Sequence, residues 1–181
     1  MTPGGRICGF GFPDEAFSTP PAFALPAMPK STAKPHPGFE QRVKDSFARQ
    51  RIMRLMGATL GKVKAGSVEI QLKRRDDLVQ QHGFLHAGVL GTIADSAGGY
   101  AGYTLMPPTS SVLTIEYKLH LLRPAVGESF LARGVVKRAG RNITVTEMEV
   151  EAVDGRKRTL CAWGTQTLMQ VSADGLGRPP G

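Results

Sequence analysis

Asp95 is the only acid in the run from Gln80 to Leu105, QQHGFLHAGVLGTIADSAGGYAGYTL. Read as a helix from about Ala87, that run places Asp95 in line with Gly88, Gly91, Gly98 and Gly102 at steps of three and four. Each helical glycine costs roughly 1 kcal/mol against alanine. A line of them therefore marks a backbone approached closely by something large, a sheet or a bound ligand. Hydrolysis at a carbonyl needs a base or nucleophile, and donors aimed at the developing oxyanion. Asp95 is a candidate for the first. The segment Leu85–Gly88 is a candidate for the second, because a helix N-terminus offers unpaired N–H groups and the positive end of its dipole. The acid and that terminus lie about two turns apart, roughly 10–12 Å at 1.5 Å per residue. One carbonyl cannot touch both, so acid and donor are expected from different chains. The alternative for Asp95 is a buried helix acid paired with a base or capping a neighbouring turn. His82 and His86 are four apart, but Gly83 and the predicted loop spoil the helical face, and no further Cys or acid cluster joins them. No metal is expected.

The elements that must carry these residues follow from periodicity. On the helix, Leu90, Ile93, Ala94, Ala97 and Ala101 form a core face. Phe39, Val43, Phe47, Met53 and Met56 predict one N-terminal helix over residues 38–57, stopped by Gly57. Five strands are expected: Ser67–Leu72, Val112–Leu122, Phe130–Lys137, Ile143–Val153 and Lys157–Val171. In the second, Leu113, Ile115, Tyr117, Leu119 and Leu121 alternate with Thr114, Glu116, Lys118 and His120. Pro107–Pro108 and Arg123–Pro124 bound it, and Asp154–Gly155 is a strong hairpin signal. Short turns make neighbouring strands antiparallel. An α+β fold follows, with one long central helix wrapped by a curved antiparallel sheet of five to six strands.

Length and composition bound the rest. The 181 residues suffice for one domain, at 41% hydrophobic and 21% charged residues. That domain is expected over residues 38–172. Residues 1–37 hold eight of the thirteen prolines and are expected to be a flexible Pro/Gly-rich tail. Residues 173–181 are a second, C-terminal tail. No run of 18 apolar residues exists, and the start lacks the pattern of a secretory signal. Cys8 and Cys161 make no disulfide or metal pattern. A cytoplasmic protein is expected. Its net charge of +8 favours anionic partners. The cations are dispersed in twos and threes and aromatics are few, which argues against nucleic acid. Glu40 and Asp45 on the first helix argue against stable membrane association.

His82-Gly83-Phe84-Leu85-His86-Ala87-Gly88, followed by Ala94-Asp95-Ser96-Ala97-Gly98-Gly99-Tyr100, resembles the signature of hotdog-fold thioesterases of the phenylacetate-pathway (PaaI) type. Thr114 to Pro124 resembles that family's strand ending in R-P. The similarity covers roughly residues 60 to 171. It implies a hotdog domain that hydrolyses acyl-CoA to a free carboxylic acid and coenzyme A, with no cofactor beyond the coenzyme A of the substrate. Asp95 matches the catalytic acid, a general base on water or a nucleophile on the thioester carbonyl. His86 matches the motif histidine that shapes the start of the helix. Ala87 stands where the family has its first glycine after that histidine, with an N–H that polarises the substrate carbonyl. Gln80 or Gln81 takes the place of the family's asparagine, and Thr114 that of a hydroxyl near the attacking water. Gly83, Phe84 and Gly88 fall in the same substrate-binding stretch. The turn Lys137-Arg138-Ala139-Gly140-Arg141 resembles the segment that meets the nucleotide, with Arg138 or Arg141 contacting a phosphate. The resemblance also implies a site at a subunit interface, in a homodimer or homotetramer. The competing reading is a non-catalytic acyl-CoA binding or sensing module, which would need no acid on the glycine line.

Overall fold

The computed structural model describes residues 34–175. Most of the expected N-terminal tail (residues 1–33), with Cys8, and residues 176–181 of the expected C-terminal tail lie outside the described residues. A helix α1 (Phe39–Arg49) and a short helix α2 (Arg51–Met56) precede a hairpin of β1 (Thr59–Lys64) and β2 (Ser67–Lys73). The long helix α3 (Ala87–Tyr103) follows. Strands β3 (Ser110–Leu121), β4 (Ser129–Ala139), β5 (Ile143–Asp154) and β6 (Lys157–Ser172) complete the domain. All ladders are antiparallel, in the order β1-β2-β4-β5-β6-β3. This is the hotdog arrangement, one helix against a curved six-stranded sheet.

The core forms where the helix meets the sheet. Leu90, Ile93, Ala94, Ala97 and Ala101, the face read from periodicity, are all buried. They pack among Val68, Ile70, Phe130, Ala132, Met148 and Val150. Of the glycine line, Gly91, Gly98 and Gly102 face the later strands and are explained by them, whereas Gly88 is exposed beside the His86 ring. A Cβ at Gly102 would stand 2.4 Å from Leu168 Cδ1, and one at Gly98 only 2.1 Å from Gln166 Oε1. Sheet side chains occupy the volume that an alanine would need.

Two expectations are corrected, the single N-terminal helix and the strict alternation of β3, and the sheet takes the upper of the two expected strand counts. The N-terminal helix is two helices, because Gln50 is extended (φ −72°, ψ 100°) between them. A sixth strand, β1, stands at the sheet edge; its half-exposed Thr-Leu-Gly-Lys-Val-Lys lacks an apolar alternation, and its register slips between Leu60 and Val63. In β3, a register shift between Thr114 and Glu116 interrupts the strict alternation. Thr114 pairs with Leu168 and Tyr117 with Gln166, so both face the helix, while Leu113 turns outward. The apolar residues of β3 are also not a buried face. Leu113, Ile115, Tyr117 and Leu121 are 45–55% exposed on an unpaired edge.

Arg42 ties α1 to the C-terminal end of α3. Its guanidinium donates to the carbonyls of Pro107 (2.6 Å), Tyr103 (2.7 Å) and Met106 (2.8 Å) and lies 4.2 Å from the Tyr103 ring centroid. A cation suits the negative end of a helix. The anchor holds α1 beside Asp95.

Candidate active site

Helix α3 and strand β3 bring Asp95 and Thr114 together. The Thr114 hydroxyl donates to Asp95 Oδ1 at 2.7 Å. Asp95 forms no ion pair among the described residues, so the carboxylate is held by neutral donors rather than sealed by a cation. A cleft of about 350 Å³ reaches it, walled by Ser46 of α1, Gln50 between α1 and α2, Tyr100 and Tyr103 of α3, and Leu113. Gln50 accepts from Ser96 Oγ at 3.3 Å, and Tyr100 donates to Ser46 Oγ at 3.3 Å. Burial pushes the Tyr100 phenol up, outweighing that hydrogen bond. The phenol therefore stays protonated as a donor in the cleft wall.

The candidate oxyanion donor lies at the start of the same helix, eight residues before Asp95. His86 is the N-cap of α3, and its Nδ1 accepts from Gly88 N–H at 2.9 Å, which leaves the ring proton on Nε2. The N–H groups of Val89 and Leu90 go to His86 O. With Gly88 occupied by the cap, the Ala87 N–H is the donor without a protein acceptor among the described residues. It opens on a second cleft of about 320 Å³, lined by Gln80, Phe84, Leu90, Leu121, Leu122 and Arg123. Gln80 is half-buried there, its side-chain oxygen accepting from the His82 N–H, whereas Gln81 is exposed and outside the cleft. Gly83 takes φ +82° in the turn that precedes the helix. A third cavity of about 310 Å³, near Gly57, Lys73 and Phe130, touches none of the candidate residues.

Arg138, Gly140 and Arg141 stand exposed at the β4–β5 hairpin, and neither arginine enters an ion pair among the described residues. The register Thr144–Leu168–Thr114 puts that hairpin at the Asp95 end of the sheet. Two strand spacings, roughly 10 Å, separate the Thr144 and Thr114 positions. The candidate residues thus fall into two groups rather than one: Asp95 and Thr114, with the basic hairpin at their end of the sheet, and His86, Ala87, Gln80 and Phe84 at the helix start.

Gln166 escapes a reading by residue type. Its Nε2 donates to Asp95 Oδ1 at 2.6 Å, to Thr114 Oγ1 at 3.0 Å and to Asp95 O at 3.1 Å. Its Oε1 accepts from Thr146 Oγ1 at 2.9 Å. Strand parity carries the signal that would have found it. Ala162, Gly164 and Leu168 set the inward face of β6, and Gln166 shares their parity between the outward Thr165 and Thr167.

The profile of the thioesterase superfamily matches residues 82–159, which include every member of the two groups but Gln80. A thioesterase family protein of Silicibacter pomeroyi is 42% identical in its crystal structure, with 75% of this chain and 99% of that chain covered and a TM-score of 0.73. The PaaI protein of the E. coli phenylacetic acid degradation operon shares 16% identity over 74% of this chain and 94% of its own, with a TM-score of 0.66. At that identity it speaks to the fold alone. A Saccharolobus solfataricus protein provisionally named an esterase is 26% identical over 106 residues, 59% of this chain and 75% of its own.

Proposed function

This chain belongs to the hotdog-fold thioesterase superfamily, and from that premise we propose that it hydrolyses acyl-CoA to a carboxylic acid and coenzyme A. Asp95 acts as general base on water, or as nucleophile, at a carbonyl polarised by the Ala87 N–H of a partner subunit. The observation that carries this reading is the matching division of helix and strand. Ala87 and Asp95 are eight residues apart on α3 with Gly91 midway; Thr114 and Leu121, one in each cleft, are seven apart on β3 with Tyr117 near the middle. The two midpoints touch: a Cβ on Gly91 would stand 3.1 Å from Tyr117 Oη.

A two-fold axis at that contact, pairing β3 with an antiparallel copy of itself, sets the Asp95 cleft of one protomer against the Ala87 cleft of the other. It also covers the long apolar edge of β3, which a stable protein does not leave bare. A homodimer is then the smallest active unit, with two equivalent sites. In each, water bound near Thr114 loses a proton to Asp95 as it attacks the thioester carbon. The charge gathered on the carbonyl oxygen is met by the partner's Ala87, at a helix end where a fixed donor is strongest. Collapse expels the coenzyme A thiolate, which takes up a proton. The exposed Arg138 and Arg141 supply charge for its phosphates.

Free-thiol release from a panel of short, medium, long and aromatic acyl-CoA substrates tests the reading. Asp95→Asn is expected to abolish turnover in a dimer that remains folded; retained turnover ends the assignment.

A further inference from the structure

Gln166 occupies a position built for packing. It lies on the inward face of β6, 1% exposed, between Gly164 and Leu168. Leu168 fills the notch over Gly102, and the Gln166 side chain fills the corresponding notch over Gly98. An aliphatic side chain satisfies the first notch, so packing alone does not call for an amide in the second. Burying an amide carries a desolvation cost that only hydrogen bonds offset. Here every polar atom of the amide is used: Nε2 donates to Asp95 and Thr114, and Oε1 accepts from Thr146. The carboxylate also fixes which way the amide points, because the flipped amide would set oxygen against oxygen. Thr146, fully buried, holds the Oε1 end.

We propose that Gln166 is a positioning residue for the reaction: its amide clamps Asp95 Oδ1 and the Thr114 hydroxyl, leaving Oδ2 as the reacting oxygen. The Thr114 hydrogen is committed to Oδ1, and its oxygen accepts from Gln166. The hydroxyl can therefore receive a hydrogen bond from water but cannot give one. Water held by Thr114 Oγ1 and Asp95 Oδ2 donates to both and keeps a lone pair for the carbonyl. Oδ1 has two donors in the protein, whereas Oδ2 has none among the described residues. The clamp acts from inside the core, without touching substrate. This inference rests on the assignment of Asp95 given above.

The test compares steady-state hydrolysis of one acyl-CoA by wild type, Asp95→Asn, Gln166→Met, Gln166→Glu and Thr146→Val as dimers. Gln166→Met keeps the bulk and removes the amide. Its kcat is expected to fall about 10- to 100-fold, the scale of a misplaced reacting group, with KM within roughly two-fold. Gln166→Glu keeps the shape but faces carboxylate with carboxylate. Its pH optimum is expected below that of wild type, since only the protonated carboxyl can donate as the amide does. Thr146→Val frees the far end of the amide and is expected to lower kcat less than Gln166→Met. Wild-type kcat in Gln166→Met overturns the inference, as does an unshifted optimum in Gln166→Glu. Should Gln166→Met fail to fold, Thr146→Val decides in its place, and an unchanged kcat there overturns the clamp. Turnover surviving in Asp95→Asn defeats the functional reading itself. Turnover lost in Asp95→Asn but intact in Gln166→Met defeats the positioning inference alone.

Discussion

Two adjacent glycines of α3 are expected to respond to alanine with opposite signs. In a helix interior, Gly→Ala gains roughly 1 kcal/mol where the new Cβ is free. A Cβ on Gly99 would meet nothing within 4 Å, so Gly99→Ala is expected to stabilise by about 0.5–1 kcal/mol. One residue earlier, a Cβ on Gly98 would stand 2.1 Å from Gln166 Oε1, 2.9 Å from Thr146 Oγ1 and 3.0 Å from Met148 Cγ. The amide must leave its notch and abandon its bonds to Asp95, Thr114 and Thr146. Unpaired buried polar groups cost about 1–3 kcal/mol, and overpacking costs a similar amount. After the helical gain is subtracted, Gly98→Ala loses about 1–5 kcal/mol. For a chain of this length that lowers the melting temperature by roughly 2–20 °C. Thermal and urea unfolding should be followed at one fixed protein concentration, because subunit association shifts apparent stability. A Gly98→Ala protein as stable as wild type, or two variants moving in the same direction, would refute the close approach of sheet to helix. Adding Gln166→Ala to Gly98→Ala empties the notch and is expected to restore part of the lost stability without restoring catalysis.

Three further outcomes are expected. Arg42→Met removes three charge-assisted hydrogen bonds to the end of α3 and should cost about 3 kcal/mol in urea unfolding; a loss below about 1 kcal/mol would deny the anchor its role. Tyr117→Arg places like charges on the apolar β3 edge of both protomers, and should yield an inactive monomer by light scattering and thiol release. An active monomer would defeat the shared site. Burial pushes the Tyr100 phenol and the Cys161 thiol up. The stability each neutral group contributes is complete below its ordinary value, 10.0 for tyrosine and 9.0 for the thiol, and is lost as pH rises through the folded-state value. Tyr100→Phe should therefore flatten the fall in stability above pH 10, and an unchanged slope there would contradict the sign.

The sequence was most legible where one element is both periodic and costly. The glycine line of α3 called for something large against the helix, a sheet or a bound ligand, and at Gly98 and Gly102 it is the sheet. Asp95 stood out because no other acid shares the line. Legibility ended where the third dimension chooses among equal local signals. Nothing in Arg49-Gln50-Arg51 announces a break, because Gln50 is fixed by the helix beneath it through Ser96. Strand β1 carries lysines on an edge, and no apolar alternation marks it in the sequence. Gln166 hides in Gly-Thr-Gln-Thr, where polar residues point to both faces, and only the parity of its neighbours places it inside.

The bulge in β3 explains how one strand serves two surfaces. In strict alternation Thr114 and Tyr117 fall on opposite faces, because an odd number of steps separates them. If Tyr117 must meet Gly91, an unbulged strand turns Thr114 away from Asp95 and points Ile115 toward the carboxylate. One extra residue restores both contacts. Thr114 returns to the helix side, and Ile115 is displaced to the free edge, where it is 55% exposed. That edge is the surface assigned to the second subunit. The Thr114 hydroxyl and the proposed subunit contact are therefore set by the same irregularity, and a change that straightens the strand should disturb both together.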